Sequence, residues 1–91
     1  MLARLVRAWG EERYVRPTKG EKFSLSELQT AVGGNIEIVR LSKNLLMVLD
    51  EEGKLKDKPL NLIATRLYRV LAKIDDYIVG DVLIVPAQMI D

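Results

Sequence analysis

Apolar and polar positions alternate along this chain in blocks short enough to delimit elements one by one. Residues 2–9 are rich in Leu, Val, Ala and Trp and read as a first strand, with Gly10-Glu11 as a turn. Arg13-Tyr14-Val15-Arg16 reads as a second strand that Pro17 ends, because proline cannot donate to a ladder. The polar stretch Thr18-Lys19-Gly20-Glu21-Lys22 is a loop. Ser24-Leu25-Ser26-Glu27 then has the form of a capping box: a serine oxygen for the third helical amide, and a glutamate that returns to the serine amide. Leu25, Leu28 and Val32 line one face of the helix so begun, and Gly33-Gly34 stops it.

Asn35 to Leu41 carries β-branched residues and predicts a strand. Ser42-Lys43-Asn44 is a tight connection, and Leu45 to Leu49 is apolar almost throughout, as in a central strand covered on both faces. Asp50-Glu51-Glu52-Gly53-Lys54 is a polar turn and Lys56-Asp57-Lys58-Pro59 a charged loop. A second helix follows from about Asn61, its N-cap, to Lys73. Ile63, Leu67, Val70, Leu71 and Ile74 have the 3–4 spacing of a buried stripe, and Asp75-Asp76 breaks the helix. Tyr77 to Val85 reads as a last strand with Gly80 in its middle. The expected fold class is α+β in the order β-β-α-β-β-α-β, with both helices on one face of a mixed or mostly antiparallel sheet. Residues 1–91 form one domain, a basic N-terminal hairpin over 1–22 and a core over 24–85.

Composition narrows the chemistry more than the fold. The chain has no histidine and no cysteine, so the commonest general base, thiolate metal sites and disulfides are all lacking. Neither a phosphate-binding glycine loop nor a nucleophile elbow occurs. We therefore expect a protein that is not an enzyme and needs no cofactor. Arginines interrupt the apolar residues of Met1 to Arg7, which argues against a signal peptide, and no apolar run is long enough for a membrane span. The expectation is a cytoplasmic protein with no membrane partner.

The net charge of +1 hides an uneven distribution: +3 over residues 1–22, −3 over 23–52, +5 over 53–73 and −4 over 74–91. Arg66, Arg69 and Lys73, at i, i+3 and i+7 of the second helix, suit a ridge for phosphate backbones, or simply a solvated face. Arg4, Arg7, Arg13 and Arg16, interleaved with Trp9 and Tyr14, suit single strands, although Arg4 and Arg7 face opposite sides of a regular strand. The acidic turn at Asp50 offers oxygens for a divalent cation or is a solvated turn, and Asp75-Asp76 is likewise a cation site or simply a helix stop. Asn61 is a helix cap, and Thr65 faces solvent or bonds back to its own helix. Glu37 points away from Ile36 and Ile38; were both sides of its strand covered, it would need a partner such as Arg66 or Arg69.

Several of these pieces together resemble a family of small phage, plasmid and prokaryotic proteins, domain of unknown function 3846. They are Leu25-x-x-Leu28, Val32-Gly33-Gly34-x-Ile36-Glu37-Ile38-Val39, Asp50-Glu51-Glu52-Gly53-Lys54-Leu55, Pro59-Leu60-Asn61 before Ala64-Thr65, and Ile78 to Val85. The family often has Asn where this chain has Asp50. The resemblance covers about residues 24–85, and leaves the basic hairpin and Met89-Ile90-Asp91 least constrained. It implies an accessory protein and brings no catalytic residues. The leading expectation is a non-catalytic protein that binds a partner protein or a small ligand. Candidate contacts are Glu37, Asp50, Asn61, Arg66, Arg69 and Lys73. Nucleic-acid binding through the basic ridge and hairpin, and an enzyme using the carboxylates of Glu37 and Asp50, stay open as alternatives. An open sheet edge also invites a homo-oligomer.

Overall fold

The computed structural model describes residues 2–90; Met1 and Asp91 lie outside the described residues. Its elements are β1 (Ala3–Val6), β2 (Glu12–Val15), α1 (Leu25–Val32), β3 (Ile36–Ser42), β4 (Leu45–Asp50), α2 (Leu62–Leu67) and β5 (Val82–Pro86). A π-helical turn, Tyr68–Ala72, prolongs α2, and a short 3-10 turn, Ala87–Met89, follows β5. The class is α+β, in the element order read from the sequence. The five strands form one sheet in the order β2-β1-β5-β4-β3, and every neighbouring pair is antiparallel.

Two hairpins, β1–β2 and β3–β4, thus flank the last strand. Val82–Val85 of β5 is buried throughout, as is all of β4 but its first residue, so both bury their two faces. Alternation sends Ala3, Leu5, Leu46, Val48, Leu83 and Val85 to one face, where they pack with Leu28 and Val32 of α1, Phe23 and Met89. Val6, Met47, Leu49, Val82 and Ile84 go to the other, where they pack with Ala64, Ile78 and, less deeply, Ile63, Leu67 and Tyr68. The helices therefore lie on opposite faces, not on one. The unbroken apolar runs of β4 and β5 require this, since each strand has two faces to cover.

Helix α1 begins as its sequence indicates. The Ser24 side chain accepts from the Glu27 amide, and the Glu27 carboxylate accepts from the Ser24 amide. Glu27 also accepts from the amide and hydroxyl of Thr18, at 2.8 and 2.9 Å, and so ties the 17–20 loop to the helix. The Ser24 amide first, then the Thr18 donors, hold this carboxyl down at about 2. Gly33 closes the helix in the left-handed region, φ 79°.

Helix α2 departs from expectation. Ala64 and Thr65 are the residues buried against the sheet, while Val70, Leu71 and Ile74 are 64%, 41% and 43% exposed. Only Ile63 and Leu67 of the predicted stripe pack against the core. From Tyr68 the backbone closes i→i+5 rings, so each residue turns through a smaller angle and the 3–4 spacing loses its alignment. The helix ends at Lys73, φ 59°, before the aspartates reach it.

Candidate functional site

The motif pieces that lie apart in sequence meet at one end of the sheet. Asp50, at the end of β4, has a side chain only 1% exposed. Its Oδ1 accepts from the Glu52 amide at 2.9 Å, and its Oδ2 accepts from the ammonium groups of Lys56 at 2.8 Å and Lys58 at 2.7 Å. Burial alone would raise this carboxyl; the two lysines and the amide overcome it and bring it to about 2. Lys58 also donates to the Val32 carbonyl at 2.8 Å, satisfying a carbonyl at the C-terminal end of α1 where a cation is favoured. A Cβ on Gly34 would lie 2.7 Å from both Asp50 Oδ2 and Lys56 Nζ, so the second glycine makes room for the ion cluster. The acidic turn is therefore not a solvated one at Asp50, and this carboxylate is engaged. Among the described residues no group of three or more Asp or Glu is disposed to hold a metal.

Asn61 is also inward, and fully buried. Its Oδ1 accepts from the Ala64 amide at 3.0 Å, as an N-cap does. Its Nδ2 donates to the carbonyls of Val6 and Gly80, at 3.0 and 2.9 Å, joining α2 to β1 and to the approach to β5. Thr65 does not face solvent or bond back to its helix. Its hydroxyl accepts from the Ile78 amide at 2.8 Å and donates to the Ile78 carbonyl at 3.3 Å. These side chains, with the Asn61 amide on the Ile78 carbonyl and the Gly80 amide on the Pro59 carbonyl, hold residues 77–80 out of the sheet. The last strand consequently begins at Val82, not at Tyr77. Asp81 then accepts from the Ala8 amide and from Arg7 Nη1, both at 2.9 Å, which fastens the first hairpin to β5.

Glu37 stands apart from this cluster. It is exposed on β3 and opposite Leu49 of β4, so it points to the α2 face, whereas Asp50, opposite Ile36, points to the α1 face. The two side chains therefore leave the sheet on opposite faces. Glu37 pairs with neither Arg66 nor Arg69; it lines a cleft of about 260 Å³ between β3 and the segment that runs from the π-helical turn to Val79. Val39, Leu49, Tyr68, Ile78 and Val79 supply apolar walls, and Glu37, Glu51, Lys54 and Asp76 the polar ones. Lys54 is held at 2.9 Å from Asp76 and 4.0 Å from the centroid of the Tyr77 ring. The Asp76 hydrogen bond raises the pKa of this lysine and lowers that of Asp76.

Of the sequence-selected candidates Glu37 and Asp50 line this cleft, Asp50 with its carboxylate committed to Lys56, Lys58 and the Glu52 amide. Arg66 is exposed on the outer side of α2, Arg69 pairs with Asp75 at 3.3 Å, and Lys73 lies beyond the last helical turn. In the first hairpin Arg4 pairs with Glu12 at 3.4 Å, Arg13 with Glu11 at 3.7 Å, and Arg7 with Asp81 and Glu11. Much of the hairpin's positive charge is thus balanced where it stands. Lys54, Tyr68 and Tyr77 carry no functional reading of their own in the sequence, and Asp76 reads there as a helix stop or a cation ligand, not as a partner of Lys54. Lys54 and Asp76 are 22 residues apart and each sits in an ordinary polar turn, so no local pattern announces their pairing.

Fold and cleft together describe a small α+β domain with a helix on each face of an antiparallel sheet and a recess of about 260 Å³ beside one edge strand. The chain belongs to the family Domain of unknown function (DUF3846), whose model matches residues 5–89, nearly the whole chain. No curated protein and no solved structure matches it. No helix among the described residues is long and apolar enough to cross a membrane.

Proposed function

We propose that this is a non-catalytic binding protein of the cytoplasm whose cleft beside β3 accepts a cationic group, an ammonium or guanidinium on an apolar stem. The single observation that carries the reading is the Glu37 carboxylate. It borders an apolar recess with no hydrogen-bond or ion-pair partner among the described residues: Lys54, the one cation of the cleft, feels its charge but gives its hydrogen bond to Asp76 and lies over the Tyr77 ring. Carboxylates beside an aromatic ring attract cations by charge and by the ring quadrupole. The volume, about 260 Å³, falls below the range of roughly 300–1,000 Å³ usual for whole small-molecule sites, so a side chain or amine head fits better than a nucleotide. A lysine or arginine presented by a partner protein meets these requirements, as does a free amine. The resemblance to phage and plasmid proteins supports a role as an accessory factor of a mobile element or its host.

Amide chemical shifts are the direct test. Agmatine, spermidine and an arginine-bearing peptide titrated at low salt are expected to shift Glu37, Lys54 and Tyr77, and uncharged analogues are not. Glu37→Gln is expected to weaken binding about tenfold, the worth of one partly solvated charged hydrogen bond, roughly 1.4 kcal/mol. No shift in the cleft with any of the cations, or equal affinity in the Gln variant, overturns the reading. Nucleic-acid binding ranks second, carried by Arg66, which has no carboxylate partner among the described residues.

A further inference from the structure

The edge of the sheet at β2 carries its own complement. In the β1–β2 hairpin the Arg7 amide donates to the Glu11 carbonyl at 2.8 Å, and the register continues through Leu5↔Arg13 to Ala3↔Val15. Antiparallel ladders alternate bonded and non-bonded pairs, so residues 11, 13 and 15 turn their backbone groups inward to β1. Glu12, Tyr14 and Arg16 turn theirs outward. No strand beyond β2 exists among the described residues, and all three side chains are exposed, Tyr14 by 68%. Such an edge is a template for a further strand.

We propose that the strand it takes is β2 of a second copy of this chain, antiparallel and centred on Tyr14. That register places Tyr14 against Tyr14 and Glu12 against Arg16, the latter twice by symmetry. All six residues then have their free backbone donors and acceptors facing one another, and all six side chains lie on one face. Glu12 already leans on Arg4 at 3.4 Å, so each Glu12 would stand between an arginine of its own copy and one of the other. Arg16 has no carboxylate partner among the described residues, and the second copy supplies it. Pro17, which has no N–H, falls on the inward parity and takes nothing from the outer ladder. Shifting the register by two residues sets Glu12 or Arg16 against Tyr14 and leaves charges unmatched. A larger shift opposes Glu12 to Glu12 or Arg16 to Arg16, which is repulsive. Charge thus selects one alignment out of those the backbone permits, and a two-fold axis closes the assembly at two copies. The interface is one strand wide, so the association is weak.

Sedimentation velocity from about 10 µM to about 1 mM, the range in which small interfaces assemble, tests the pairing. The wild-type chain is expected to form dimers toward the upper end. Arg16→Glu alone opposes Glu to Glu, and Glu12→Arg alone opposes Arg to Arg; each is expected to raise the dissociation constant at least tenfold. Mixing the two variants matches both pairs again, and heterodimers are expected at wild-type affinity, with circular dichroism confirming that each variant is folded. A wild-type chain that stays monomeric at the top of the series overturns the proposal. So does a dimer that Arg16→Glu leaves intact, or a mixture that associates no better than its components.

Discussion

Asp50 shows how much one buried charge can carry. Its carboxyl stands at about 2 against an ordinary 3.8, because two ammonium groups and an amide outweigh the cost of its burial. A folded value below the unfolded one means that stability is fully present above about pH 4 and is lost as pH falls toward 2. The difference corresponds to roughly 2 kcal/mol. Asp50→Asn is expected to lose about that much at pH 7, leaving Lys56 and Lys58 without their shared anion, and to flatten the acid limb of a plot of Tm against pH. Glu27, also held at about 2, titrates over the same window in both proteins and leaves the difference between them intact. A variant that melts with the wild-type pH dependence would assign the acid sensitivity elsewhere.

At the scale of elements, the local signals were legible and the facing relations were not. Ser24 and Glu27 mark the start of α1 because a cap is a contact between residues three apart. The apolar run Leu45 to Leu49 marks an interior strand because covering both faces leaves no polar position. The orientation of α2 failed because the stripe Ile63-Leu67-Val70-Leu71-Ile74 is the more hydrophobic one, yet the helix rests on the small residues Ala64 and Thr65, which allow a closer approach to the sheet. Thr65 read as facing solvent or bonding back to its own helix since its partner, Ile78, is thirteen positions away. Of the site, Glu37 could be flagged as a polar residue within a β-branched run. The Lys54–Asp76–Tyr77 wall could not, because it exists only once the 77–80 segment is drawn to α2. Substitution separates the two helix faces. Val70→Asp is expected to change stability by no more than about 0.5 kcal/mol, as at ordinary surface sites. Ala64→Leu is expected to cost about 1–3 kcal/mol by overpacking. Equal costs in chemical denaturation would mean that the outer face is buried after all.

For the molecule as a whole, the sheet order matters more than any single contact. β5 has a strand on each side and a packed layer on each face, whereas β2 and β3 each have one free edge. Native-state hydrogen exchange is expected to give the amides of Leu83 to Val85 the free energy of global unfolding, and those of β2 a distinctly smaller one at low protein concentration. Exchange of the β5 amides well before global unfolding would contradict this hierarchy.

The central place of β5 also sets when the chain can fold. The two hairpins made earlier in the sequence adjoin β5 in the sheet and do not pair with each other, and both cores draw on its side chains. A nascent chain that has emerged only as far as Asp81 holds two hairpins and two helices with no middle to join them. Folding therefore waits for residues 82–86 to leave the ribosome, and until then the apolar strand β4 depends on whatever shields nascent chains in the cell.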